Sequence, residues 1–100
     1  MRVRWTNRAA SDLLAIGDHI ANDKPAAARA WVERLRERAA GIAEAPRAGR
    51  VVPELGRDDV RELFLRSYRI VYRVVPEGAV VLTVFEGHRL LGDLDPSVGE

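Results

Sequence analysis

Apolar residues recur with helical spacing in the first half of the chain and crowd into strand-like runs in the second. Residues 2–5 alternate, with Val3 and Trp5 on one side and Arg2 and Arg4 on the other, which predicts a short half-buried strand. Thr6 or Asn7 then offers a side chain that caps a helix by accepting from an unpaired amide. Ala9, Leu13, Ile16 and Ile20 follow at spacings of 4, 3 and 4, drawing one apolar stripe along that helix. Gly17 lies within it, where the missing side chain allows close packing. Asn22, Asp23 and Lys24 make a polar turn, and Pro25 suits the first position of a second helix. Ala28, Trp31, Leu35, Ala39 and Ile42 form its stripe, and Pro46 ends it. Glu33 meets Arg36 and Glu37 meets Arg34 at helical spacing, so the outer face of this helix is partly self-neutralised.

Three runs rich in β-branched and aromatic residues come next, over 60–65, 68–75 and 79–85. Arg66-Ser67 and Pro76-Glu77-Gly78 separate them with turn chemistry, which predicts an antiparallel meander. In the middle run Tyr68, Ile70, Tyr72 and Val74 share one face and Arg69, Val71, Arg73 and Val75 the other. The more apolar set is expected against the helices, with Arg69 on the opposite, more open face. The fold class is therefore α+β: a βααβββ chain in which a two-helix hairpin packs on one face of a small antiparallel sheet.

Length allows one domain, expected over residues 1–91, with 92–100 read as a mobile tail rich in Gly, Pro and acidic groups. The chain has no cysteine, which excludes disulfides and thiolate chemistry, and no His/Asp/Glu cluster has metal-ligand spacing. No cofactor or metal is expected. The N-terminus lacks the apolar core of a signal peptide and no stretch could span a bilayer, so the expected location is the cytoplasm, with no membrane partner. Net charge is +1, but residues 1–50 carry +4 and residues 51–100 carry −3. Lys24 is the only lysine.

Several patterns carry a family resemblance. They are Val3-Arg4-Trp5-Thr6 followed by Ala9, Asp12, Leu13 and Ile16, then Pro46-Arg47-Ala48-Gly49-Arg50 with Pro53-Glu54-Leu55. Arg61-Glu62-Leu63, Tyr68-Arg69-Ile70-Val71-Tyr72-Arg73-Val74, Val81-Leu82-Thr83-Val84 and Gly87-His88-Arg89 complete the set. Their order resembles the RelE/ParE superfamily of type II toxin–antitoxin systems, on the ParE-like side. The resemblance implies a toxin neutralised by a cognate antitoxin, a ribbon–helix–helix or similar DNA-binding dimer, in a hetero-oligomeric complex that meets DNA only through the antitoxin. ParE-like members inhibit DNA gyrase by direct binding, whereas RelE-like members cut mRNA in the ribosome.

Cutting RNA needs a base, an acid and cations at phosphorus. Arg69 and Arg89 align with the family's arginines and could hold phosphate, and His88 has a suitable pKa for proton transfer. No lysine lies on the sheet and no tyrosine follows Tyr72, so the set is incomplete. The reading is therefore a gyrase inhibitor, with Arg61, Arg69 and Arg89 as target- or antitoxin-binding candidates. The alternatives are an mRNA interferase using Arg69, Arg89 and His88, or a non-toxic homologue that only binds antitoxin. Structural roles stand beside these. Arg69 can pair with Glu62 or Glu86 across strands, Trp5 and Trp31 can anchor the core, Tyr72 can lie in the core with its hydroxyl at the rim, and His19 and His88 can be surface residues.

Overall fold

The computed structural model describes residues 2–87. Strand β1 (Arg2–Trp5) leads through Thr6 into helix α1 (Asn7–Asp23), and Lys24 joins it to helix α2 (Pro25–Ala40). A 3₁₀ turn (Gly41–Glu44) and a loop lead to β2 (Arg50–Val51), β3 (Val60–Leu65), β4 (Tyr68–Val75) and β5 (Gly78–Glu86). The strand order is β1-β5-β4-β3-β2. Strands β3, β4 and β5 form the expected antiparallel meander, while β1 lies parallel to β5, so the sheet as a whole is mixed. The two-residue β2, antiparallel to β3, is too short to leave a periodic signal.

Thr6 is the N-cap of α1: its hydroxyl accepts from the Ala9 amide at 3.0 Å and donates to the Leu82 carbonyl at 3.2 Å. One side chain thus caps the helix and ties it to β5. The α1 stripe buries Ala9 and Leu13, and a Cβ built on Gly17 would meet Val32 Cγ2 at 2.9 Å, so the two helices close on each other at that glycine. Helix α2 buries Ala28, Leu35 and Ala39. Ile42 is in the core as its spacing implies, but on the 3₁₀ turn rather than on α2, because the chain tightens at Gly41. Trp31 does not reach the core. It is half-buried with its ring 5.8 Å from that of Tyr68, and Trp5 packs against the core from its edge.

The sheet carries apolar side chains on both faces. Ile70, Tyr72, Ala79, Val81 and Val84 pack against the helices. Val71, Val75, Val80 and Leu82 form a second cluster with Val52 and Val60, and Leu55 and Phe85 lie against it. The face opposite the helices is therefore not open at Arg69, as the sequence suggested. Four valine and leucine side chains there need cover, and the strap over residues 52–59 supplies it. Strand β5 is buried along 79–84 without alternation because both faces of the sheet are covered there, and its register against β4 steps between Val71, opposite Thr83, and Tyr72, opposite Val81. The extra residue, Leu82, is a bulge that lets Val81 and Val84 both join the helix-side core.

Candidate functional site

Arg69 is held on β4 under the strap, with its side chain only 7% exposed. Its Nε donates to Glu62 Oε1 at 2.7 Å and its Nη2 donates to the same oxygen. The other edge of the guanidinium is forked on Glu54, Nη1 to Oε2 at 3.1 Å and Nη2 to Oε1 at 3.2 Å. Glu62, fully buried, also accepts from Arg50 Nε through Oε2. Phe85 and Phe64 face the guanidinium carbon of Arg69 at 5.2 and 6.0 Å, and Arg50 lies 5.5 Å from the Phe64 ring. The four charges cancel, which is how an ionic group survives at this depth. Burial works against the charged form of Arg69. The hydrogen bonds and charges of Glu54 and Glu62 outweigh it, and its pKa lies above the ordinary arginine value. Of the pairings considered from the sequence, that with Glu62 forms, and Glu54 takes the place considered for Glu86.

Glu54 is the exposed end of the network. The hydrogen bonds from Arg69, then that of its own backbone amide, hold its carboxyl below the ordinary value of 4.5. A group with a depressed folded pKa stabilises the fold fully above its unfolded value, and that stabilisation is lost as pH falls through the lower folded value. Lowering the pH from neutrality should leave the urea midpoint steady down to about 4.5 and reduce it below that. Glu54→Gln should show a shallower fall. An identical acid profile in that variant would remove Glu54 from the account.

Arg61 is not beside Arg69. It lies opposite Tyr72 in the β3–β4 register and so on the other face. Its guanidinium donates to the carbonyls of Arg47, Gly49 and Asp58 at 2.9–3.0 Å and to Asp58 Oδ1 at 2.8 Å. It fastens the loop around β2 rather than presenting a cation. Tyr72 is fully buried; its hydroxyl donates to the Pro46 carbonyl at 2.6 Å and accepts from the Gly49 amide at 3.2 Å. Burial raises its pKa, and burial followed by the charge of Glu86 raises that of Tyr68. Neither phenol is set to release a proton near neutrality. Arg89, His88 and the tail 92–100 lie outside the described residues. Among the described residues no group of three or more His, Asp or Glu could hold a metal ion. No helix among them is long and apolar enough to cross a membrane.

A second feature gave no sequence signal. Strand β1 pairs with β5 only along 78–81, and beyond it β5 faces a groove of about 430 Å³. Arg8, Asp12, Ile16 and His19 of α1 line one wall, with Tyr68 and Thr83 to Glu86 on the other. Asp12 Oδ2 accepts from the Thr83 hydroxyl and from the Val84 amide at 3.3 Å, so α1 satisfies part of the edge that β1 leaves uncovered. His19 is exposed beside this groove. The described residues thus offer a partly recessed strand edge beside α1 and an arginine masked by two carboxylates.

The sequence model of the family described as "ParE toxin of type II toxin-antitoxin system, parDE" matches residues 3–91. Y4kP of Sinorhizobium fredii, a protein named as a toxin, is 38% identical over 91 residues, covering 88% of this chain and 90% of its own length. Toxin RelE2 of Caulobacter vibrioides is 37% identical over 79 residues, covering 79% of this chain and 85% of its own. Among solved structures, a chain of the chromosomal ParDE system from P. aeruginosa superposes with a TM-score of 0.74 at 27% identity, covering 86% of this chain and 95% of that one. A substituted form of E. coli toxin RelE in the free state shares the fold, with a TM-score of 0.59 at 24% identity over 84% of this chain and 80% of that one. The chain belongs to the ParE toxin family of type II toxin–antitoxin systems, within the wider RelE/ParE superfamily, and an antitoxin is its implied partner.

Proposed function

We propose that this toxin acts by binding DNA gyrase and blocking its turnover, and that a cognate antitoxin reverses the block. The observation that supports this reading best is the state of Arg69. A nuclease would need that guanidinium free for phosphate, whereas here two carboxylates occupy it and a strap covers it. Tyr72, the nearest buried phenol in sequence, has both hydrogen-bonding directions committed to the loop. Inhibition by binding needs no proton transfer, only complementary surface. The antitoxin, a ribbon–helix–helix or similar DNA-binding dimer, would lay a segment into the groove between α1 and β5. There the strand edge past residue 81 lacks a strand partner and is satisfied only in part, at Leu82 by Thr6 and at Val84 by Asp12.

Purified gyrase should lose supercoiling activity when the toxin is added and recover it when antitoxin follows. Translated messages should stay intact in a reconstituted translating system supplied with the toxin alone. Cuts in those messages, with supercoiling unaffected, would replace this reading with ribosome-dependent cleavage, for which the name of the Caulobacter relative speaks.

A further inference from the structure

Glu54 sits in the fork of Arg69 as a ligand would. The two bonds are parallel and bidentate, yet at 3.1 and 3.2 Å they are longer than the roughly 2.7–2.9 Å of an optimal charge-assisted pair. Glu62, by contrast, is sealed in the interior and holds Arg69 from the other edge. Glu54 is the detachable member, with a side chain 37% exposed on a strap that turns at Gly56, where φ is +62°. Were it to swing out, Arg50, Arg69 and Glu62 would remain with a net charge of +1 and a planar donor edge facing outward. Beside that edge lies Phe64, one of two large apolar side chains exposed among the described residues, at 42%. Arg50, itself mostly exposed, stands over the same ring and acts electrostatically on Glu54.

We infer that Glu54 is a built-in substitute for a carboxylate from outside, and that this face binds an acidic, apolar-flanked peptide segment of a partner protein. The partner's Asp or Glu takes the fork of Arg69, and its neighbouring apolar side chain seats on Phe64. A carboxylate is favoured over other anions because the group already in the fork is one, and because exchange of like for like leaves no buried charge unpaired at the end. The apolar contact supplies what the exchange itself does not, because covering the exposed part of Phe64 removes apolar surface from water. The competition also sets affinity: the site is available only in the fraction of molecules with Glu54 displaced. This inference is independent of the gyrase reading.

The test follows the arginine Nε–H signals of the full chain by NMR during titration with the peptide acetyl-Leu-Glu-Leu-amide. The signals of Arg69 and Arg50 should shift saturably, and the analogue with Gln in place of Glu should leave them unmoved. Glu54→Gln, which keeps the volume of the side chain but weakens the competitor, should bind the acidic peptide about tenfold more tightly. Phe64→Ser should weaken that binding, read from the variant's own free-state arginine signals, which the loss of the ring displaces. Equal binding of the Gln analogue would overturn the inference. So would a stronger response to inorganic phosphate than to the peptide, which would assign the fork to a nucleic-acid backbone, or unchanged affinity in Glu54→Gln. If that variant does not fold, the wild-type titrations with the two peptides and phosphate decide alone.

Discussion

Replacing Glu62 with alanine is expected to destabilise the fold by about 3 kcal/mol, the lower end of what removal of one partner from a buried pair costs. The reasoning starts from the two side chains it holds. Glu62 has no exposed surface and bridges Arg69, which is 7% exposed, to Arg50. Removing its carboxylate leaves the inner edge of the Arg69 guanidinium without acceptors, beside a cluster of valine, leucine and phenylalanine side chains. Glu54 still neutralises the outer edge, which is why the larger end of the range is not expected. Arg50 reaches solvent and loses little. The companion experiment is the double replacement Glu62→Leu with Arg69→Met, which removes the charge together with its partner and should recover most of the loss. Denaturant midpoints at constant slope would measure both. A single variant within about 0.5 kcal/mol of wild type, the range of ordinary surface substitutions, would mean that the network is hydrated and the strap open in solution.

The elements were legible because each rests on a local signal. The stripe from Ala9 to Ile20, the proline at position 25 and the turns at Arg66-Ser67 and Pro76-Glu77-Gly78 located the first helix, the start of the second and three long strands to within a residue or two, whereas the second helix ends at Ala40, well before Pro46. Arg69 was placed on the correct face by alternation alone. Its exposure was not legible, because that depends on residues 52–59 folding back across the sheet, and no periodicity in Val52-Pro53-Glu54-Leu55-Gly56 says where a loop travels. The same cause separates Arg61 from Arg69. Treating the sheet's cations as one set overlooked that positions 61 and 69 lie on facing strands in opposite phase, Arg61 beside Tyr72 and Arg69 beside Phe64. The groove was hidden for a different reason. It exists because β1 covers four residues of a nine-residue β5, a comparison that requires knowing that the first and last strands are neighbours. Both candidate surfaces therefore rest on contacts between residues far apart in sequence: Asp12 with Thr83, Thr6 with Leu82 and Glu54 with Arg69.

That dependence on β1 makes Gly78 the position where one methyl group should do the most damage. Its φ is +143°, a conformation that side chains rarely adopt, and a Cβ there would lie against the backbone of Arg2, 2.7 Å from the nitrogen and closer to the carbonyl oxygen. Gly78 and Arg2 are partners at the start of the parallel β1–β5 ladder, so neither backbone can give way without losing the pairing. Gly78→Ala should therefore cost about 3 kcal/mol or more, combining about 1–3 kcal/mol of backbone strain with the loss of the adjoining bonds. Hydrogen exchange would locate the damage. The Arg2 amide, bonded to the Glu77 carbonyl, and the Thr6 amide, bonded to that of Val81, should lose protection first. Antitoxin affinity should fall with them, because Thr6 ties the start of α1 to β5 and so fixes the groove wall. Gly56→Ala is the control: its φ is also positive, at +62°, but a Cβ there meets nothing within 4 Å. It should cost only the left-handed penalty of about 1–2 kcal/mol and leave the antitoxin untouched. Equal losses in the two variants would show that strain at the turn, not contact with β1, sets the cost, and that the β1–β5 pairing does not shape the groove.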